Sequence, residues 1–168
     1  GERTGEELLE DIGRKLGLEK RPRVIECVDI SNIMGVLAVG SLVRFEDGIP
    51  AKSGYRMYKI RTVEGSNDFA MMREVLTRRF RPGADGAPVD APDLLMVDGG
   101  KGQLGVAAEV FESLGVRAVA LCSIAKARLK VREVRGVNDA VGTVPDGADL
   151  LDFETEDEGA SASASESV

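Results

Sequence analysis

The sequence predicts a layered α/β domain on a mixed sheet of five strands, three antiparallel and then two parallel strands reached through helices, with flanking helices. Three observations lead there. Two apolar runs, 24–30 and 36–45, lie close together, and the second ends at Asp47-Gly48, a two-residue hairpin signal. Further along, helical and strand patterns alternate as helix, strand, helix, strand. Strands joined through helices favour parallel pairing with a right-handed crossover.

Each element has its own local cause. Residues 4–16 read as a short helix, because Thr4 and Glu7 match a capping box, Leu8, Leu9, Ile12 and Leu16 keep helical spacing, and Gly17 suits a stop. Residues 20–23 form a linker. Val24 to Ile30 is a first strand, and Val36 to Phe45, apolar on both faces, is a central second one. Ala51 to Ile60 pairs back as an edge strand, marked by Lys52, Arg56 and Lys59. Ser66, Asn67 and Asp68 offer capping oxygens to a helix whose apolar stripe is Phe69, Met72, Val75, Leu76 and Phe80. Arg73, Arg78, Arg79 and Arg81 lie off that stripe. Residues 82–92, rich in Gly, Pro and Ala, form a loop. Leu94 to Val97 is a short buried strand ending at Asp98. Gly99-Gly100-Lys101-Gly102 then turns into a second helix with Leu104, Ala107, Ala108, Phe111 and Leu114 inward and Gly115 at its end. Val116 to Leu121 is the last strand. The organisation is therefore an N-terminal linker helix (1–22), the α/β domain (23–130), a diverged remainder (131–153) and a disordered acidic Ser/Ala tail (154–168).

Composition narrows the class. The 168 residues suit one domain. With 43% apolar residues but 4% aromatic and no Trp, aliphatic side chains build the core. No apolar run nears the roughly 20 residues of a membrane span, and the charged start is unlike a signal peptide, so no membrane partner is expected. Cys27 and Cys122 sit in apolar runs and read as free thiols of a reducing, cytoplasmic compartment. Without His, two cysteines build no zinc site. The net charge of −7 is uneven: eight acidic and no basic residues follow Pro145, which leaves 21 acidic against 22 basic residues before it. A nucleic-acid partner is compatible with that body.

Asp29 and Asp98 stand out because each closes an apolar strand. On neighbouring parallel strands, about 4.8 Å apart, their carboxylates repel unless one is protonated or a cation lies between them. A divalent ion with oxygen ligands resolves the repulsion and serves phosphodiester hydrolysis. The same two residues also read as ordinary polar strand ends. Asp68 reads first as a helix-capping acid and second as a third ligand. The Gly99–Gln103 turn offers backbone amides and Lys101 to a phosphate, but it lacks the Walker A spacing and equally suits a plain strand-to-helix turn. The arginines between 73 and 81 read as phosphate contacts or as a solvated face.

Four stretches together resemble the UvrC family: Ile25-Glu26-Cys27-Val28-Asp29-Ile30-Ser31-Asn32, Val43-Arg44-Phe45-Glu46-Asp47-Gly48, Asp68-Phe69-Ala70-Met71-Met72-Arg73-Glu74-Val75-Leu76, and Val97-Asp98-Gly99-Gly100-Lys101-Gly102-Gln103-Leu104. The resemblance runs from about residue 6 to about residue 128. It implies an RNase H-like endonuclease domain that uses Mg2+ or Mn2+ to cut damaged double-stranded DNA on the 5′ side of a lesion. It implies Asp29 and Asp98 as catalytic metal ligands and Asp68 as a further acidic member of the site. Gly100, Lys101, Gln103 and Arg73 are implied as phosphate or DNA contacts. The family's site also uses a histidine, and this sequence has none, which opens the alternative of an inactive binding remnant. Family proteins further carry a GIY-YIG nuclease domain, a UvrB-binding segment and helix-hairpin-helix repeats. None matches here, and the first residue is Gly, which fits a piece of such a protein or a degenerate stand-alone relative.

Overall fold

The computed structural model describes residues 5–33, 37–86, 89–125, 128–132 and 141–143. Thr4 of the expected capping box, the tail at 154–168 and most of 131–153 lie outside them. At the centre of the fold is β1 (Val24–Ile33), antiparallel to β2 (Leu37–Glu46) on one side and parallel to β5 (Leu94–Asp98) on the other. The hairpin after β2 turns at Asp47 (φ 51°) and Gly48 (φ 79°), two left-handed residues as a type I′ turn requires. On the far side, β6 (Ala120–Ala125) runs parallel to β5. β7 (Arg128–Arg132) and β8 (Val141–Thr143) add two antiparallel strands.

The mixed topology matches the expectation, but among the described residues the sheet has eight strands rather than five. Part of the difference is the edge. The single strand expected over 51–60 is instead β3 (Ile49–Pro50), a 3-10 turn at Lys52–Gly54 and β4 (Arg56–Lys59), both strands pairing with β2. The turn is crowded by Arg44, whose side chain passes under Gly54 on its way inward: a Cβ there would lie 2.5 Å from the Arg44 Cδ. The last parallel strand also begins later than Val116. Gly115 (φ 69°) is left-handed, and the Gly115 and Val116 amides donate to Glu112 and Phe111 carbonyls. This closure of the preceding helix takes up the residues after Gly115 before the chain rejoins the sheet.

Helices cover both faces. α2 (Asp68–Phe80) and α3 (Lys101–Leu114) pack Met72, Val75, Leu76, Phe80, Leu104, Ala107 and Phe111 on Val28, Leu42, Leu95, Val97 and Leu121. Phe80 and Phe111 meet edge-on at 4.8 Å. The opposite face is sealed by α1 (Gly5–Lys15) and the turn after it, where Leu9, Ile12 and Leu16 lie on Ile25, Leu94, Met96 and Cys122. The face a residue serves follows strand alternation. The Cys122 thiol is buried and Cys27 partly so; burial pushes the Cys27 pKa up to about 11, so neither is a ready nucleophile.

Glu74, in the middle of α2, ties down the loop that leads into that helix. Its carboxylate accepts the backbone N–H groups of Arg61 (2.9 Å) and Thr62 (2.7 Å), the Thr62 hydroxyl, and Arg78 (3.2 Å). Burial opposes its charge, yet these donors outweigh burial and hold the carboxyl below its ordinary value of 4.5. A carboxyl lowered on folding stabilises above its unfolded pKa, and the contribution is lost as pH falls through the folded value. Glu74→Gln is expected to cost about 1–3 kcal/mol at pH 7. In urea titrations the gap between parent and variant should shrink below pH 4.5.

Candidate active site

A backbone clamp decides where the acidic residues fall. At the start of the parallel pair, the Asp93 carboxylate accepts the N–H groups of Arg23 (3.0 Å) and Val24 (2.8 Å), and the Asp93 amide donates back to the Val24 carbonyl (2.8 Å). This sets the register Ile25 opposite Leu94 through Val28 opposite Val97. Asp29 and Asp98 follow immediately and share a sheet face by alternation. β1 does not stop at Ile30, as the sequence suggested. It runs on beside β2 to Ile33 after β5 has ended, so Asp29 stands where the central strand loses its parallel neighbour.

The two carboxyls are close enough to share a hydrogen bond. Both residues are exposed. Partial loss of solvent raises the Asp29 pKa first, the Asp98 charge adds to it, and the hydrogen bond to Asp98 adds further, against a lowering from the Ile30 amide. Among the described residues no Lys or Arg forms an ion pair with either carboxylate. Ser41 on β2 is opposite Asp29, and Ile124 on β6 is opposite Asp98. An uncompensated carboxylate pair of this kind fits a hard divalent cation with oxygen ligands, with its other positions left to water or phosphate. Among the described residues no third His, Cys, Asp or Glu converges on the pair, so it does not close a cage.

The remaining expected site residues separate into two groups. Asp98 leads through Gly99 (φ 140°) directly to α3, whose N-cap is Gly100 and whose first residue is the exposed Lys101. Gln103 follows, 8% exposed, its Cγ packed where Gly99 has no Cβ. Asp68 begins α2 and is not part of the carboxylate pair. It lines a depression with Gln103 and Phe69, while the capping oxygen is that of Asn67, which accepts from the Ala70 amide at 3.1 Å. Arg73 is exposed and ion-paired with Glu109 of α3.

The other arginines of α2 mostly turn inward. Arg78 donates to the Lys59 carbonyl (2.7 Å) and lies over the Tyr58 ring. Arg79 grips buried Glu26 with two bonds of 3.0 Å. Sequence reasoning missed Phe69 as a surface residue. It reads as part of the apolar stripe, yet it is 54% exposed, and Met71 is buried instead.

The mixed sheet with its central parallel strands, with two helices on one face and one on the other among the described residues, defines an RNase H-like α/β domain. The chain belongs to the UvrC RNase H endonuclease domain family, whose model matches residues 13–159. It is similar to UvrABC system protein C of Geotalea daltonii, with 51% identity over 126 residues, covering 75% of this chain and 20% of that protein. The same protein of Bdellovibrio bacteriovorus is 50% identical over 71% of this chain and 18% of its own length. The chain thus spans about a fifth of these relatives. Among solved structures it is similar to Ciona intestinalis endonuclease V in complex with inosine-containing DNA (TM-score 0.44, 15% identity, 73% of this chain and 54% of that one). Human ENDOV gives a TM-score of 0.40 at 17% identity, covering 62% of this chain and 46% of that one.

Proposed function

We propose that this chain is the catalytic core of a nucleotide-excision-repair endonuclease, hydrolysing a phosphodiester bond of damaged double-stranded DNA on the 5′ side of the lesion. The observation that carries the reading is the Asp29–Asp98 pair, side by side on one face of two parallel strands, with no cationic side chain ion-paired to either among the described residues. They would hold Mg2+ or Mn2+. Such an ion, when bound, lowers the pKa of a water and offsets charge on the leaving oxygen. The chain's own part is to position. Asp29 and Asp98 fix the ion's place on the edge of the sheet. The α3 N-terminus, with the amides of Gly100 and Gln103 and the Lys101 ammonium, orients a phosphate beside them. Asp68 serves by hydrogen bonding from the head of α2. Arg73 reaches DNA by exchanging Glu109 for a backbone phosphate. UvrB engages other parts of the full-length protein, and the setting is the cytoplasm. Among the described residues no helix is long and apolar enough to cross a membrane.

A supercoiled plasmid carrying ultraviolet lesions tests the reading: Mn2+-dependent nicking that EDTA stops supports it. A second reading rests on the lack of any His in the sequence, where the resemblance calls for one. In that reading the pair binds metal and the domain binds DNA without cutting. Calorimetric Mn2+ binding and DNA binding with no nicking would select it. No metal binding at all would sink both readings.

A further inference from the structure

The heads of α2 and α3 meet around Phe69. The tip of its ring points at Gly102, and a Cβ at that position would overlap ring atoms Cζ and Cε1. Contact through the tip holds the ring in place and leaves its faces uncovered by Gly102. Beside it, the Gln103 side chain is more than nine-tenths buried, and its Oε1 accepts no hydrogen bond among the described residues. Glu64, Ser66, Asn67, Asp68, Phe69 and Gln103 line a depression of about 540 Å³. That size suits a small planar group. Its chemistry does not suit a phosphate, because Glu64 and Asp68 both carry negative charge into it. It is rich in acceptors and has one exposed aromatic ring.

We infer that this depression receives an unstacked nucleobase of the DNA strand, its ring stacked on Phe69 and its exocyclic amino group donating to Gln103 Oε1, which turns out of its buried position to accept it. An amino-bearing base such as adenine or cytosine satisfies the orphaned oxygen, whereas the ring N3–H of thymine lies between two carbonyl oxygens that this acceptor-rich lining repels. The inference rests on the reading that the chain engages DNA. It adds a base contact to the phosphate contacts of Lys101, from which it is separable: stacking depends little on salt, whereas phosphate pairing depends on it steeply.

The test is fluorescence anisotropy on the full chain in EDTA, using labelled duplexes with a short bubble of adenines, thymines or abasic sites. The parent is expected to bind the adenine bubble about 5- to 100-fold more tightly than the abasic one. Phe69→Leu, which keeps an apolar contact with Gly102, should lose that preference with its salt slope unchanged, and Phe69→Trp should retain it. Gln103→Met should keep base over abasic but lose adenine over thymine. Equal, strongly salt-dependent binding of all three duplexes by the parent would overturn the base subsite and leave the DNA reading standing. A preference that survives in Phe69→Leu would overturn it likewise. No binding to any duplex would remove both.

Discussion

Asp98→Asn is expected to remove Mn2+ binding and nuclease activity together. One of the two carboxylates that would hold the ion becomes a neutral amide of the same shape, so fold and packing are kept while a charged ligand is lost. Affinity by calorimetry should fall on the order of 10–100-fold or more. Plasmid nicking should fall by about 10²–10³-fold. Asp29→Asn should do the same, because the two act as a unit and their effects do not add. The folding readout moves the other way. Without metal, partial loss of solvent and then the Asp98 charge disfavour the Asp29 carboxylate and raise its pKa. A carboxyl raised on folding favours the folded state below its unfolded pKa, and that advantage is lost as pH rises through the folded value. In EDTA at neutral pH, Asp98→Asn should therefore be more stable than the parent, by up to about 1 kcal/mol after solvent screening. The difference should vanish as pH falls toward the ordinary Asp value of 3.8. Added Mn2+ should stabilise the parent and leave the variant unchanged. A parent that gains nothing from Mn2+ would show that the pair is not a metal site.

Glu26→Ala is expected to be the most destabilising single change in the sheet. Glu26 is 1% exposed on β1, on the face opposite Asp29. Its carboxylate takes two bonds of 3.0 Å from Arg79 and one of 3.3 Å from Arg44. Arg44 in turn reaches Glu46 (3.0 Å) and Asp90 (3.2 Å), and Arg79 donates to the Asp90 carbonyl (2.6 Å). The network ties β1, β2, α2 and the loop before β5 into one unit. Removing its central anion leaves two guanidinium groups in a low-dielectric pocket with half their partners gone. The cost should be about 3–5 kcal/mol. For a domain of this size that is a fall in melting temperature of roughly 6–20 °C. Replacing Glu26 and Arg79 together with Leu and Met should recover much of the loss, because the penalty is the unpaired charge and not the absent bridge. A single variant melting within 2–3 °C of the parent would mean that water reaches and pays for those arginines.

Much of the candidate site was legible from local sequence. Asp29 and Asp98 announce themselves by ending apolar runs, and Gly99 to Gln103 by a glycine-rich turn that opens a helix. Period alone places Met72, Val75, Leu76, Phe80, Leu104, Ala107 and Phe111 in the core, where the structure has them buried or packed against it. Phe69 shows where period fails. It has the right spacing for the stripe, but it lies in the first turn of α2, where its ring tip meets Gly102 in the first turn of α3 and the residue stays 54% exposed. The arginines of α2 show the same limit. Their spacing says that they leave the apolar stripe, and nothing in the spacing says that Arg79 finds Glu26, 53 residues earlier.

Alternation, capping residues and turn chemistry act over a few residues, and so the sequence by itself determined most element types, the Asp47–Gly48 hairpin, the helix end at Gly115 and which acids close apolar runs. Tertiary structure alone decided the split edge strand, because Arg44 crosses beneath Gly54. It decided the exposure of Phe69. Above all it decided that Asp29 and Asp98 stand side by side. That depends on the register of two strands 69 residues apart in the chain, set by the Asp93 clamp on the Arg23 and Val24 amides. Register is a long-range property, because a slip of one residue moves a side chain to the other face of the sheet. No local pattern in either strand encodes it.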